Sequence, residues 1–391
     1  MRAFVFTDET LARHAGQFVW LEIDTEKAKN APFRERYPIP ALPSYFVLDP
    51  AAERVALRWV GGATVAQLDR FLDEGALVLK GGEPGGPEAR DANAALAEAD
   101  RLYGDGKDAE AAAAYLRAVQ AAPEGWPRLG RSVEALMFAL SRAEDWTTTD
   151  SAAAVLYPHL RGTNSAASVA AAGLSAAASL PDSAPDRSAR VERHEANLRE
   201  ALADPTVSYS GDDRSGYLIS LMDAHTALHD SVGARRVAEE WSATLDQVAA
   251  AAKTPAQRVV YDSHRLSAYL ELGQPEKAVP MLQQSERDFP GDYNPPGRLA
   301  AAYLAMKQWD DALAASDRAL KRGYGPRKLR FYQSKADAFA GKGDVAHARA
   351  TLGEAIAFAE ALPEPQRSAS TIAGLKKKRD ALGATASQSG Q

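Results

Sequence analysis

The sequence predicts a mainly α-helical protein in which a solenoid of helical hairpins follows a small α/β domain. Between residues 259 and 324 one hairpin pattern occurs twice, and its two small crossing residues, Ala278 and Ala312, lie 34 positions apart. Two short helices joined by a tight turn need a small side chain where their backbones come closest, and neither buries its apolar stripe alone. Stacked copies bury each other, so the repeat predicts a solenoid.

The composition is that of an ordinary globular chain, and its 391 residues are enough for two or three domains. The formal net charge is −6 without a basic stripe, so no nucleic-acid partner is expected. No segment reaches the roughly 18 apolar residues of a membrane helix, so no membrane insertion is expected. Cysteine is absent, which excludes a disulfide, a thiolate metal site and a cysteine nucleophile in this sequence.

The first domain is predicted over residues 1–79, in the order strand, helix, strand, strand, helix. Residues 18–23 are rich in β-formers and predict a buried strand, and residues 25–37 predict a helix. The inner face of that helix is predicted to carry Ala28, Ala31, Phe33 and Tyr37.

Two more strands and a closing helix complete this domain. The strands are predicted at residues 44–49 and 54–60, as a hairpin turning at residues 50–52. The helix is predicted from the capping residue Thr64 to Asp73, and its apolar face consists of Val65, Leu68 and Leu72.

The ordered set of residues 19–24 (Val-Trp-Leu-Glu-Ile-Asp) and 39–49, with a proline directly before the strand, resembles the second half of a thioredoxin-like domain. In that family this proline is cis, and the peptide bond before it faces the reactive disulfide. The resemblance therefore implies a substrate loop at Leu42, Pro43 and Ser44. The pair Gly61-Gly62 is similar to the family's glycine at the end of its last strand.

The family's Cys-x-x-Cys and its central strand have no counterpart here, so the resemblance implies an N-terminally truncated thioredoxin-like α/β domain. Without the central strand, the strands at 18–23 and 44–49 are expected to present unpaired edges. Three interpretations stay open. The true start lies upstream with the cysteines; the domain is a remnant that serves as a docking platform; or the resemblance is accidental and the domain is a small α/β cap.

Residues 80–89 hold a glycine and proline run that predicts an interdomain linker. A phosphate-binding loop is the weaker interpretation, because no predicted strand precedes the run and no Gly-Lys-Ser/Thr motif follows it. The helical repeat domain is predicted over residues 90–382, and a disordered tail over 383–391.

The 34-residue period, with an early aromatic, a glycine or polar residue at the turn and alanine at the crossing, resembles the tetratricopeptide repeat. Further copies are predicted over residues 90–123 and 327–362, with less regular helix pairs between 130 and 254 and a capping helix over 368–382. The packing positions in this register are Ala111, Tyr115, Tyr269, Ala278, Tyr303, Ala312, Phe339 and Ala348.

The residues that could carry chemistry do not form a recognisable set. His225 and His229 share a helix face, but no third metal ligand can be assigned, so ordinary packing histidines are the better interpretation. We therefore assign no catalytic residue, no metal site and no cofactor. Peptide-binding solenoids of this type often use basic residues on the inner helix of each pair, where Arg265, Arg298 and Lys335 are candidates.

The leading hypothesis is a non-catalytic protein–protein interaction scaffold with a helical-repeat groove and a redox-inactive thioredoxin-like module. Its partner would be a protein or peptide client, in the cytoplasm as the sequence stands. The alternative is a thiol–disulfide oxidoreductase whose Cys-x-x-Cys lies upstream of a mis-assigned start, with the repeats recruiting substrates and a periplasmic location. A purely structural repeat in an assembly is the third interpretation. No motif specifies the client or the oligomeric state.

Overall fold

The structure, a computed structural model, describes residues 4–39 and 41–388, and for residues 384–388 only the backbone. Its contacts divide the chain into two compact units. The first unit comprises Met1–Trp20 and Tyr37–Thr244, and the second comprises Leu21–Arg36 and Leu245–Gln391. The predicted terminal residues 389–391 of the tail lie outside the described part.

The first unit begins with a two-stranded antiparallel sheet, as the hairpin pattern predicts. Strand β1 (Ser44–Asp49) pairs with β2 (Arg54–Val60), with an irregularity in register between Val47 and Leu48. The turn forms because the Asp49 carboxylate accepts hydrogen bonds from the backbone amides that follow it, at 3.0 and 3.3 Å. The Leu42–Pro43 peptide bond directly before β1 is cis.

Helix α2 (Val65–Leu79) covers one face of this sheet and runs six residues past the predicted end. Its start is as predicted: Thr64 forms a capping box with Gln67. The apolar core beneath α2 consists of Leu11, Val47, Leu57, Trp59, Leu68, Phe71 and Leu72.

The predicted strand at residues 18–23 is wrong, because no strand is formed there. The segment is irregular, and the Val19 side chain is 88% exposed instead of buried. A β-rich sequence becomes a strand only when another strand pairs with it, and none does so among the described residues.

The helix predicted over residues 25–37 is also too long. The structure has a 3₁₀ turn at Ala28–Asn30 followed by the short α1 (Ala31–Arg36). None of its proposed inner residues is fully buried: Ala28 is exposed, and Ala31, Phe33 and Tyr37 are half-buried. Residues 25–36 therefore lack the apolar stripe that would hold a longer helix against a core.

The remainder of the first unit is helical. Successive helices pack as antiparallel pairs, as the repeat pattern predicts, and the first helices of neighbouring pairs, α5, α7 and α9, also contact one another. The helices are α3 (Arg90–Gly104), α4 (Asp108–Gln120), α5 (Leu129–Arg142), α6 (Trp146–Leu156), α7 (Asn164–Ser179), α8 (Arg187–Ala203), α9 (Gly211–Ala227) and α10 (Ser231–Ala250), which ends in the second unit.

The second unit repeats the same hairpin plan. Its core joins α12, α13, α14 and α15 through residues such as Leu266, Leu282 and Leu299. The final helix caps the array and extends past residue 382, where the disordered tail was predicted to begin. The helices are α11 (Pro255–Val259), α12 (Asp262–Glu271), α13 (Ala278–Asp288), α14 (Asn294–Ala305), α15 (Trp309–Arg322), α16 (Lys328–Gly341), α17 (Val345–Glu360) and α18 (Ala369–Gln388).

None of the helices in the described part of the chain has the length and apolarity that a bilayer-crossing segment requires.

Candidate functional site

The residues predicted at the hairpin crossings lie inside the helical layers. Their alanines have no exposed surface, and Tyr115 and Tyr269 are buried, whereas Tyr303 and Phe339 are half-buried. Ala111, Ala278, Ala312 and Ala348 are the alanines concerned. The buried positions among them hold the hairpins together and are inaccessible to a ligand, so we look for a site on the open faces of the helices.

The first helices of the hairpins in the second unit each keep one face open, which we call the open face. On α14 it carries Arg298, Ala301 and Ala305, spaced three and four residues apart, while Leu299, Ala300 and Ala302 are buried. The α12 part is made of Ser263 and Ser267, and the α16 part of Arg330, Ser334 and Asp337. Most of these side chains are small, so an extended segment can approach the helix backbones closely.

Two of the three basic candidates on these helices are already paired. Arg265 donates to the Asp246 carboxylate at 2.9 Å, and Tyr269 donates to the same group at 2.6 Å. Lys335 forms an ion pair with Asp317 at 2.7 Å. These contacts tie neighbouring helices together and leave little charge for a ligand.

Arg298 is the exception, and the structure adds Arg330, which the sequence analysis missed. Neither guanidinium has a carboxylate within ion-pair distance among the described residues. Burial lowers the pKa of Arg298. The negative charges of Asp262 and Asp292 oppose this shift, and the positive charges of Arg330 and Arg327 add to it. Arg298 is half-buried and Arg330 is exposed. Arg330 lies on the first helix of the hairpin that follows the one with Arg298, and this position was the signal available in the sequence.

A buried carboxylate lies near Arg298. Asp262, at the start of α12, has no exposed surface, and both of its oxygens lack a hydrogen-bond partner among the described residues. Burial raises the pKa of this carboxyl, against the opposing effects of the nearby Ser285 hydroxyl and of the Arg298 charge. Asp262 cannot reach a client, so it attracts Arg298 from below the surface without occupying its donors.

Two carboxylates near the start of the second unit, those of Asp24 and Glu26, contact the hairpin ends next to these arginines. Tyr324 donates to the Asp24 carboxylate at 2.6 Å, and Arg327 donates to the Glu26 carboxylate at 2.6 Å. Gln366 donates to the Glu26 carbonyl at 2.8 Å. An irregular chain with two carboxylates is thus bound through side-chain and backbone acceptors.

In the first unit the corresponding face is covered by the end of β2. Arg131 on α5 donates to the Arg58 carbonyl and pairs with Asp100. A Cβ placed on Gly61, which has φ +94°, would lie 3.6 Å from the Phe138 ring of α5. The inner face of these hairpins is therefore occupied by the chain's own sheet.

The loop assigned by the thioredoxin-like resemblance lies at the base of this sheet. Leu42 is 65% exposed, and Pro43 accepts a hydrogen bond from the Gly61 amide at 2.9 Å through its carbonyl. The Ser44 hydroxyl donates to the Ala41 carbonyl at 2.6 Å. The loop thus presents an exposed apolar side chain with its neighbours held by hydrogen bonds.

The two histidines have different surroundings. His225 lies 2.9 Å from Asp230, and His229 occupies the left-handed turn with φ +60°. No cluster of three or more His, Cys, Asp or Glu side chains suited to a metal ion occurs within the described residues.

A cavity of about 320 Å³ lies in the first unit between the start of α7 and the end of α8. Its wall includes Tyr157 and Tyr209, and the ion pair of Arg161 with Glu200 stands at its rim at 2.8 Å. The two charged groups pair with each other, and both are about half exposed.

Comparison with known proteins agrees with the repeat pattern. Residues 269–327 match the tetratricopeptide repeat family. A tetratricopeptide repeat protein from Parabacteroides merdae ATCC 43184 aligns with 74% of this chain and 99% of its own, at 11% identity and a TM-score of 0.46. The TPR2AB domain of yeast Sti1, solved as a pHSP90 complex, aligns with 74% of this chain and 98% of its own, at 18% identity and a TM-score of 0.28. No curated protein matches the chain.

Proposed function

We propose that this protein is a non-catalytic protein–protein interaction scaffold whose open face in the second unit holds an extended segment of a client protein. The observation that carries the proposal is the run of small side chains on α12, α14 and α16, such as Ser267, Ala301 and Ala305, between well-packed helices. An array of packed hairpins with small residues along its open face suits a chain bound along its length.

The part of residues 1–79 that lies in the first unit has a second role in this proposal, as a redox-inactive docking module related to the thioredoxin-like fold. The order β1, β2, α2 and the exposed Leu42 loop support the relation, and the absence of cysteine makes the module inert in thiol chemistry. Its sheet covers the first unit's helices through Arg131 and Phe138, so the module would present its other surfaces to a client.

The test is selection of short peptides from a display library on the immobilised full-length chain, followed by affinity measurements on the enriched sequences. Ala305→Tyr fills the open face at an exposed position, whereas Ala314→Tyr adds the same ring to an exposed position of α15. We expect Ala305→Tyr to weaken binding by about tenfold or more and Ala314→Tyr to leave it within about twofold. Equal binding to all three proteins, or no enrichment, would refute the scaffold.

A further inference from the structure

The cavity of the first unit is a second candidate binding site, and its wall fits a small molecule. We propose that it binds a small organic cation, a primary ammonium group on an apolar body, with the apolar body against Tyr157 and Tyr209 and the ammonium group beside the Asp204 carboxylate. Its volume of about 320 Å³ is at the small end for ligand pockets. The open face belongs to the second unit and the cavity to the first, so this inference does not depend on the proposed function.

The apolar part of the wall is formed by buried side chains, among them Val207 and the two tyrosines, Tyr157 and Tyr209. Each tyrosine ring already has a guanidinium over it. The Arg161 group lies 5.4 Å from the centroid of the Tyr157 ring, and the Arg214 group lies 5.8 Å from that of the Tyr209 ring. The face of an aromatic ring carries partial negative charge and attracts cations. The wall therefore offers apolar contact to a ligand body and favours a positive charge close by.

The hydroxyl groups of the wall already donate their protons to backbone carbonyls. Tyr157 donates to the Asn197 carbonyl at 2.8 Å, and Tyr209 donates to the Thr163 carbonyl at 3.4 Å. The Thr163 hydroxyl donates to the Leu160 carbonyl at 2.6 Å. A hydroxyl oxygen whose proton is engaged in this way can still accept hydrogen bonds. These groups therefore complement a ligand that brings N–H donors.

The charged groups of the wall leave one carboxylate in excess. Its described residues include two carboxylates, Glu200 and Asp204, and one guanidinium, that of Arg161. Arg161 pairs with Glu200 through Nε at 2.8 Å and through Nη2 at 3.1 Å. Asp204 accepts from the Thr206 hydroxyl and amide through Oδ1, and these bonds lower the pKa of its carboxyl. The charged Asp204 thus keeps Oδ2 for the N–H groups of an ammonium ligand.

The start of α7 favours the opposite charge. This helix begins at Asn164, beside the cavity, and the positive end of a helix dipole attracts anions. An anion in the cavity would also be repelled by the unneutralised charge of Asp204. We therefore commit to a cation, and an anionic ligand is included in the test.

The test compares three ligands of similar shape by isothermal titration calorimetry on the full-length chain at pH 7: phenethylamine, 2-phenylethanol and phenylacetate. We expect phenethylamine, which is protonated at this pH, to bind at least about tenfold more tightly than 2-phenylethanol. Phenylacetate should bind more weakly than either. Equal affinities of phenethylamine and 2-phenylethanol, tighter binding of phenylacetate, or no binding of phenethylamine at about 10 mM would overturn the proposal.

Two charge variants test the role of the carboxylates. Asp204→Asn keeps an oxygen that can accept from Thr206 but loses the charge, so it should weaken phenethylamine binding by about tenfold. Arg161→Gln removes a like charge and leaves Glu200 without its partner, so it should tighten binding by about threefold. An unchanged affinity in Asp204→Asn, or a weakened one in Arg161→Gln, would contradict the assignment of a cation.

Two size variants place the ligand in the cavity. Ala203 is an exposed residue of the wall at the end of α8, so Ala203→Trp should fill the entrance and abolish phenethylamine binding. Ala196→Trp adds the same ring to an exposed position of α8 outside the wall and should leave the affinity within about twofold. This pair keeps the test decisive if Asp204→Asn fails to fold, and equal binding to both variants would overturn the proposal. All four substitutions lie outside the open face, so peptide binding there tests the scaffold separately.

Discussion

Replacing Glu134 by glutamine should stabilise the first unit, and by more at high pH than at low pH. Burial raises the pKa of the Glu134 carboxyl from 4.5 to about 7. Asp213 raises this pKa further, whereas hydrogen bonds from Ser165 and Ser168 and the charge of Arg131 lower it. The charged carboxylate is disfavoured only in the folded protein. The resulting destabilisation is therefore absent at pH values below the pKa of Glu134 in the unfolded protein, and it is complete at pH values above its pKa in the folded protein.

The size of the effect follows from these two values. Linkage gives a destabilisation of about 0.8 kcal/mol at pH 5, about 2 kcal/mol at pH 6 and about 3.3 kcal/mol at pH 8. These figures are upper limits, since Glu134 is half-buried and water reduces the penalty. Glutamine keeps the shape and the neutral charge of the protonated carboxyl. Its stability advantage over glutamate should therefore grow by up to about 2.5 kcal/mol between pH 5 and pH 8.

The assay is thermal unfolding followed by tryptophan fluorescence at several pH values. Trp20, Trp59, Trp126, Trp146 and Trp241 lie in the first unit, so the signal reports mainly on it. For a unit of this size, the increase in the stability difference between pH 5 and pH 8 corresponds to a change of about 5–10 °C in the Tm difference.

The surface variant Glu124→Gln serves as the control for glutamine substitution itself, because Glu124 is exposed in the same unit. A difference in Tm between Glu134→Gln and the unsubstituted protein that stays constant from pH 5 to pH 8 would refute the reasoning.

Three further substitutions test the packing. Gly297→Ala places a Cβ 2.4 Å from the buried Phe331 ring, so it should lower the free energy of unfolding by about 1–2 kcal/mol in denaturant titration. Gly353→Ala is the control, because free space surrounds Gly353, and it should raise the free energy of unfolding by up to about 1 kcal/mol. Glu74→Gln removes the carboxylate that pairs with the buried Arg128 at 2.8 Å and should lower the free energy of unfolding by about 3 kcal/mol. Glu98→Gln breaks an exposed pair and should lower it by less than about 1 kcal/mol. Asp262→Asn should raise the Tm of the second unit at pH 8, with the gain shrinking toward pH 4 because burial raises the pKa of Asp262 in the folded state; a gain that is independent of pH would contradict this.

Local signals in the sequence are sufficient to predict the helical architecture. Alanines at hairpin crossings, such as Ala278 and Ala312, predict the helix pairs because only a small side chain fits where two helices touch. The cap at Thr64 and the two strands after Pro43 are likewise local, and the structure contains them. The strand predicted at residues 18–23 fails because pairing depends on a partner elsewhere in the chain, which propensity does not report.

The candidate site was only partly predictable for a related reason. Arg265, Arg298 and Lys335 all have the residue type and helix position of a client contact. What separates Arg298 from the other two is the presence of Asp246 and Asp317 on neighbouring helices, which neutralise Arg265 and Lys335. Such pairing is set by the packing of helices, so a single sequence cannot reveal which arginine remains available.

The bonds from Asp24 and Glu26 to Tyr324 and Arg327 span 300 and 301 residues, so they bear on the order of events during biosynthesis. At about 5–20 residues per second, Asp24 is added to the chain roughly 15–60 s before Tyr324. The second unit therefore cannot close until Arg327 has been translated, long after residues 21–36 of that unit have been made. Translation from the N-terminus thus places the completion of the second unit last.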